Sequence, residues 1–526
     1  MRILTAAEMR EVDRLSTERF RVPSLMLMEN AGKSVAEFIQ AQFPDFKQRR
    51  IIVLCGKGNN GGDGFVAARY LRKLGASVSV YLVGRARDVK ADAAVNLKRW
   101  KRTGRVVVEV SSPKPAPFLF QSGDIIVDAL LGTGVRGPLE GQLAAVVRAV
   151  GERAPGCAVL AVDIPSGLDA DTGEASGPVI VADHTVTFTA PKPGLVLRAG
   201  PKHTGDLVVR QIGSPETLIE ETGKGNLRWS EPGEFRKFAV PRQPSGHKGD
   251  YGHALVVAGS VGKTGAAVLA GSAALRAGAG LVTVATPEPV LGVVAAHTPE
   301  IMTEPLAATV TGTVSERSLE GNLFGKILEG KRALAIGPGL SMHAETQAFV
   351  RSIIGDRKTV PIILDADGLN AFAGRGGELR NPKGLLAVTP HPGEMARLLG
   401  CSVPDVQARR IEIAREAAAN WNACVVLKGH ETVIAAPDGC AWVNSTGNPG
   451  MGTGGTGDVL TGILAGLTAQ YGVDGWPETL AFGVYLHGLA GDIAYRETGR
   501  APLMASDLIS CLPRAFRQFY SECGRG

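Results

Sequence analysis

No Cys-x-x-Cys pair occurs in this chain. Its seven cysteines, Cys55, Cys157, Cys401, Cys424, Cys440, Cys511 and Cys523, are scattered and odd in number. That pattern argues against a disulfide framework or a thiolate zinc site, and it fits a reducing compartment. A basic stripe is also lacking. The 57 Lys and Arg against 51 Asp and Glu leave a net charge of +6, small for 526 residues. The basic side chains gather only in pairs such as Arg49-Arg50 and Lys331-Arg332. A nucleic-acid partner needs a clustered basic face, so none is expected. The least polar long stretch, Ala254 to Thr286, is rich in Gly and Ala and interrupted by Lys263 and Arg276. It reads as strand, loop and buried helix, not as a membrane span. The opening MRILTAAEMREVDRLSTERF mixes acids and bases at helical spacing, unlike a secretory signal. The expected setting is the cytoplasm.

Hydrophobic residues at 44% and charged residues at 21% are ordinary for a globular protein able to bury a core. At ~150 residues per domain the length suggests about three or four domains, and large α/β domains reduce that to two. In the first half, IIVLC (51–55), SVSVYLV (77–83), DIIVDALL (124–131) and AVLAVDIP (158–165) lack strict alternation, as strands covered on both faces do. Helical stretches such as DGFVAARYLRKLG (63–75) separate them. The second half repeats the style at 253–259, 280–286, 332–337, 361–367, 385–390 and 423–429. Strands alternating with helices predict doubly wound α/β sheets in both halves. The turn-rich segment 214–235 is the expected seam, giving domains 1–224 and 225–526.

Directly after the first strand comes GKGNNGGDG, Gly56 to Gly64. Glycines there let backbone N–H groups approach a ligand, and the following helix N-terminus favours anions. Gly56, Gly58 and Gly61 satisfy GxGxxG, but the next strand ends Leu82-Val83-Gly84-Arg85 without the acid of a dinucleotide fingerprint. An ordinary NAD dehydrogenase is therefore not expected. A tight structural turn explains this loop alone about as well as nucleotide binding does. Two further loops tip the balance: DALLGTGVRGP (128–138) and AVDIPSGLDADTG (161–173) also follow strands. All three can gather at the carboxyl ends of one sheet, where open α/β sheets bind ligands. Asp128 and Asp163 end strands, and Asn60 and Ser166 offer neutral oxygens. Singly, a strand-end Asp is more often a cap; together, such oxygens suit a hard cation.

ILTAAEMREVD, GKGNNGGDG, DALLGTGVRGP and VDIPSG, in that order over roughly residues 1–215, resemble the NAD(P)H-hydrate epimerase family. The resemblance implies a Rossmann-like doubly wound domain with a potassium ion held by Asn60, Asp128 and Ser166. It places substrate contacts on Asn59, Asn60, Gly61, Gly62 and Asp63, on Gly132, Thr133, Gly134, Val135, Arg136, Gly137 and Pro138, and on Asp163. Epimerisation at a hydrated ring carbon needs hydroxyl loss and return on the other face. Asp163 is the expected acid–base group for that proton.

In the second half, NPGMGTGGTGDVLTGILAG (448–466) ends a glycine run in Asp458 and then opens an apolar helix. Backbone N–H groups of Gly455, Thr456 and Gly457 can form a nest for a phosphate. An Asp at that helix start is placed to act as base toward a substrate hydroxyl. The plainer reading is an N-cap Asp after a flexible loop. KGHET (428–432), TPHPGE (389–394), DADGLN (365–370), GPGL (337–340) and HKGDYGHALVVAGS (247–260) accompany the motif. Together they resemble the ribokinase-like ADP-dependent NAD(P)H-hydrate dehydratases over roughly residues 230–515. The resemblance implies AMP contacts at Lys428, Gly429, His430, Glu431, Thr432 and Gly457. Hydrate contacts fall on Ala266, Gly339, His391 and Asp458, and Glu394 helps hold magnesium through water. Gly262-Lys263-Thr264 is not a Walker loop, because Val257 stands where the pattern needs glycine.

The expected function is repair of hydrated NADH and NADPH. One domain epimerises the hydrates and the other dehydrates one epimer with ADP, Asp163 and Asp458 being the catalytic residues. The family also implies homo-oligomers. The competing reading is a ribokinase-like vitamin-precursor kinase with a regulatory nucleotide-binding domain.

Overall fold

The computed structural model describes residues 1–110, 120–134, 137–196, 200–356, 360–381, 383–499 and 501–524. Two compact units divide it, Arg2–Gly225 and Asn226–Gly526, Met1 grouping with the latter. No helix among the described residues is long and apolar enough to cross a membrane.

The first unit is built on β1 (Arg50–Cys55), β2 (Ser77–Val83), β3 (Val107–Val110), β4 (Ile125–Ala129), β5 (Ala158–Val162), β6 (His184–Phe188) and β7 (Asp206–Arg210). They form one parallel sheet in the order β3-β2-β1-β4-β5-β6-β7. Successive side chains of a strand point to opposite faces. Ile51, Val53 and Cys55 accordingly enter one hydrophobic cluster, and Ile52 and Leu54 enter another. Chain direction across the sheet reverses between β1 and β4, so their carboxyl ends open a crevice. The glycine loop after β1 is itself the first helical turn: the helix begins at Asn59, not Asp63, and Gly62 N donates to Gly58 O at 3.1 Å. A capping box between Thr5 and Glu8 starts the helix Ala6–Glu18.

The second unit holds β8 (Leu227–Trp229), β9 (His253–Val257), β10 (Leu281–Pro287), β11 (Met302–Leu306), β12 (Ala333–Ile336), β13 (Ile362–Leu364), β14 (Leu386–Val388), β15 (Cys424–Leu427), β16 (Val433–Ala435) and β17 (Ala441–Val443). Their order is β11-β10-β9-β12-β13-β14-β15-β16-β17-β8. The pairs β15–β16 and β16–β17 are antiparallel, while the remaining neighbours run parallel. The segment 214–235 is not structureless. It contains the helix Glu216–Thr222 and the edge strand β8.

The Gly/Ala-rich stretches are explained by one helix pair. Helix Thr456–Tyr471 lies so close to helix Thr264–Ala277 that a Cβ on Gly462 would stand 2.1 Å from Ala270 O. Only glycine allows that approach, and it locks the Asp458 helix against helix Thr264–Ala277.

Candidate active sites

In the first unit a cavity of about 730 Å³ opens above the carboxyl ends of β1, β4 and β5. Asn59, Asn60, Asp63, Gly132, Thr133, Gly134, Gly137, Pro138 and Asp163 all line it. Val135 and Arg136 lie outside the described residues. Gly61 and Gly62 turn toward protein: a Cβ on Gly61 would meet Gly56 O at 2.0 Å, and one on Gly62 would meet the Met28 sulfur at 2.6 Å.

Asp163 follows β5 directly and adopts φ +64, a left-handed conformation uncommon for a residue with a side chain. Its N–H donates to Val186 O at 2.8 Å, which ties the turn to β6. Its Oδ1 accepts from Thr187 Oγ1 at 3.1 Å and from the ammonium of Lys192. Lys192 is 1% exposed and also donates to Thr187 Oγ1 at 2.9 Å and Phe188 O at 3.1 Å. Burying a lysine is costly unless it is paired, so the arrangement commits Lys192 to Asp163. Asp13 and Asp63 share the cavity. Burial pushes the Asp63 carboxyl well up, and the charges of Asp163 and Asp13 add to that.

Beneath the cavity lies an oxygen cluster. Asp128 is fully buried, and its Oδ1 accepts from Ser166 Oγ at 2.7 Å while its Oδ2 accepts from Ser166 N at 2.8 Å. Burial nevertheless pushes its carboxyl up to about 6 against those hydrogen bonds. Asn60 Nδ2 donates to Leu131 O at 2.7 Å, and among the described residues the buried Asn60 Oδ1 has no hydrogen-bond partner. Linked through Leu131, whose N–H donates to Ser166 Oγ at 3.0 Å, this amide oxygen, the buried carboxylate and the hydroxyl are the oxygen donors that a hard cation takes.

In the second unit the ends of β13 and β15 and the start of helix Thr456–Tyr471 converge. Lys428 Nζ donates to Asp365 Oδ1 at 2.6 Å, and Thr461 Oγ1 donates to Asp365 Oδ2 at 2.6 Å. A Cβ on Gly457 would stand 3.5 Å from Lys428 Nζ, so the glycine loop runs alongside this pair. Burial opposes charge on both partners. Their mutual attraction more than offsets it, holding Asp365 below and Lys428 above its ordinary range. Asp458 sits in the first turn of its helix, and burial followed by the charge of Asp365 pushes its carboxyl up to about 6.

The N-cap Gly455 has φ +92, and the first N–H groups of the helix it opens are without intrahelical acceptors, as at any helix start. Side chains hold the loop before it. Asp492 accepts from Gly447 N at 3.0 Å and Asn448 Nδ2 at 2.9 Å, and Asn448 Oδ1 accepts from Gly450 N at 3.0 Å. Ala266 and Gly339 meet: a Cβ on Gly339 would be 2.9 Å from that of Ala266. His391 is an N-cap, its Nδ1 accepting from Gly393 N at 3.0 Å, and Glu394 returns the capping box to His391 N at 2.7 Å. Glu394 also lies 3.8 Å from Lys428.

The segment Lys428–Thr432 is a turn with Gly429 at φ +142 and Glu431 at φ +53, closed by Thr432 Oγ1 donating to Gly429 O at 3.0 Å. His430 is exposed at its tip. Arg410 lies against the turn and donates to Leu427 O at 3.0 Å and Lys428 O at 3.2 Å. Sequence reasoning missed Arg410, Lys192 and Asp13. The signals available were a lysine inside the apolar TAPKPGLVL and an aspartate one helical turn after Met9.

Two α/β units, each with an acid at a glycine-rich crevice, define a two-domain nucleotide-processing enzyme. Residues 24–194 match the family described as YjeF-related protein N-terminus, and residues 254–514 match the NAD(P)H-hydrate dehydratase family. The bifunctional NAD(P)H-hydrate repair enzyme of Moorella thermoacetica is 46% identical over 99% of this chain and 98% of its own length. That of Thermofilum pendens is 40% identical, covering 98% and 96%, and that of Escherichia coli 34%, covering 97% and 93%. A Bacillus subtilis ADP/ATP-dependent NAD(P)H-hydrate dehydratase, co-crystallised with ATP and magnesium, is 35% identical. It aligns with 56% of this chain and 99% of its own at a TM-score of 0.47. The chain belongs to the family of bifunctional NAD(P)H-hydrate repair enzymes.

Proposed function

We propose that the first unit interconverts the two epimers of hydrated NADH and NADPH, and that the second dehydrates one of them with ADP. The observation that supports the first activity best is Asp163, which lines a cavity large enough for the hydrated ring and is paired with Lys192. Loss of the ring hydroxyl is driven by the ring nitrogen lone pair and needs a proton at the departing oxygen; return of water needs a base. Asn60, Asp128 and Ser166 would hold potassium, which supplies positive charge beneath the phosphate-facing loops.

For the second unit, Asp458 takes the proton of the substrate hydroxyl, whose oxygen attacks the terminal phosphate of ADP. The N–H groups of Gly455, Thr456 and Gly457 stabilise the transferring phosphoryl group. Lys428, fixed by Asp365, stands beside that loop. Elimination of phosphate, with loss of a proton from the neighbouring ring carbon, then gives NAD(P)H, AMP and phosphate. Asp365, Glu394 and Asp458 all attract the ammonium of Lys428, an acidic cluster that fits magnesium held with the help of Glu394. Magnesium would neutralise phosphate charge. The KGHET turn, supported by Arg410, receives the AMP part. The seven free cysteines suit a reducing cytoplasm. Product analysis tests this reading: AMP and phosphate must appear in step with NAD(P)H. A phosphorylated product that accumulates instead would identify a small-molecule kinase.

A further inference from the structure

We propose that Asp13 is a second acid–base residue of the epimerisation, serving the ring face opposite to the one served by Asp163. The inference rests on the epimerase reading of the first unit and deepens it. Inversion requires hydroxyl to depart from one face of the ring and water to enter from the other. Asp163 is fixed by its left-handed backbone, by Thr187 and by Lys192. A carboxylate so restrained reaches one face unless the whole ring turns over.

Asp13 supplies the second group from a different wall. The helix Ala6–Glu18 presents Met9, Arg10 and Asp13 to the cavity, Met9 and Asp13 being neighbours one turn apart. Asp163 rises from the strand-end floor. Among the described residues no hydrogen bond engages the Asp13 carboxylate, so it is available to a ligand, whereas Thr187 and Lys192 hold Oδ1 of Asp163 in place. The charged residues around it in the cavity are Arg10, Asp63, Asp92, Asp163 and Lys192. Desolvation by the surrounding wall pushes the Asp13 carboxyl up to about 6, with Lys192 opposing and Asp163 adding. Asp63 is less suited because it is half-buried at the helix start, whereas Asp13 is exposed within the cavity and can exchange its proton with solvent.

The steps balance. Protonated Asp13 gives its proton to the ring hydroxyl. The carbon–oxygen bond breaks with its electron pair going to the departing water, and the nitrogen lone pair forms the iminium. Water adds to the opposite face, the iminium pair returns to nitrogen, and Asp163 accepts the water's proton. Solvent then returns a proton to Asp13 and removes one from Asp163. The opposite epimer runs the same steps in reverse.

The test uses the full chain, one purified epimer and water labelled with heavy oxygen, without ADP. Asp13→Asn is expected to slow inversion about a hundredfold or more, while label still exchanges with retention in the epimer whose hydroxyl faces Asp163. Asp13→Glu is expected to restore part of the inversion. Inversion unchanged in Asp13→Asn would overturn the proposal. So would inversion and exchange lost together without rescue by Glu. A wild-type chain that dehydrates with ADP but never inverts would instead refute the epimerase reading itself.

Discussion

Lys428 and Asp365 stand 2.6 Å apart, joining the end of β15 to the end of β13 beneath the glycine loop. Asp365 is 1% exposed, so the pair cannot lose one member cheaply. Lys428→Met leaves a buried carboxylate unpaired and is expected to destabilise the second unit by about 3 to 5 kcal/mol. Thermal or denaturant unfolding measures this, with ADP binding lost in parallel. Unchanged unfolding would mean that Asp365 finds its charge balance elsewhere.

Asp458 must be ionised to act as a base, and its carboxyl is pushed up to about 6. The charged form is therefore present above that value and lost as pH falls through it. For dehydration, kcat/KM should be flat above about 6 and fall ~tenfold per pH unit below it. Asp458→Asn should reduce dehydration about a hundredfold or more while leaving epimerisation intact. A rate that rises on acidification contradicts the assignment.

Gly457 has room for a methyl group, since its nearest neighbour would be Lys428 Nζ at 3.5 Å. Gly457→Ala should therefore fold normally. It should weaken ADP at least about tenfold by blocking a close approach of phosphate to the backbone. Calorimetric titration decides it, and an unchanged Kd would move the phosphates away from this loop.

Much of this chemistry was legible because acids follow strands and glycines surround them. Asp163 and Asp458 sit where β5 and the glycine run end, and β1, β4 and β5 are mostly apolar runs. β6 and β7 were not legible. Thr185 and Thr187 are fully buried in β6, and their hydroxyls are used internally, Thr185 donating to Thr204 O at 2.7 Å. Polar letters there conceal a core strand. β16 and β17 are too short for a period to register. Lys192 escaped for a related reason: lysine is read as surface, and only the fold brings Asp163 to it across 29 residues.

The orphaned Asn60 Oδ1 gives the cation site a test independent of turnover. Potassium that binds only the folded unit should stabilise it by about 2.7 kcal/mol when it exceeds its Kd about a hundredfold. Melting in potassium chloride against choline chloride reads this directly. Asn60→Leu should remove the difference, and identical wild-type melting in both salts would refute the site.

The most direct test follows the near-ultraviolet absorbance of NADH as the purified chain acts on a mixture of both hydrate epimers, with ADP and magnesium. Recovery of the whole hydrate pool, faster than spontaneous epimerisation allows, is the expected result. Recovery that stops at the fraction of one epimer contradicts the epimerase unit, and no recovery with ADP contradicts the dehydratase unit.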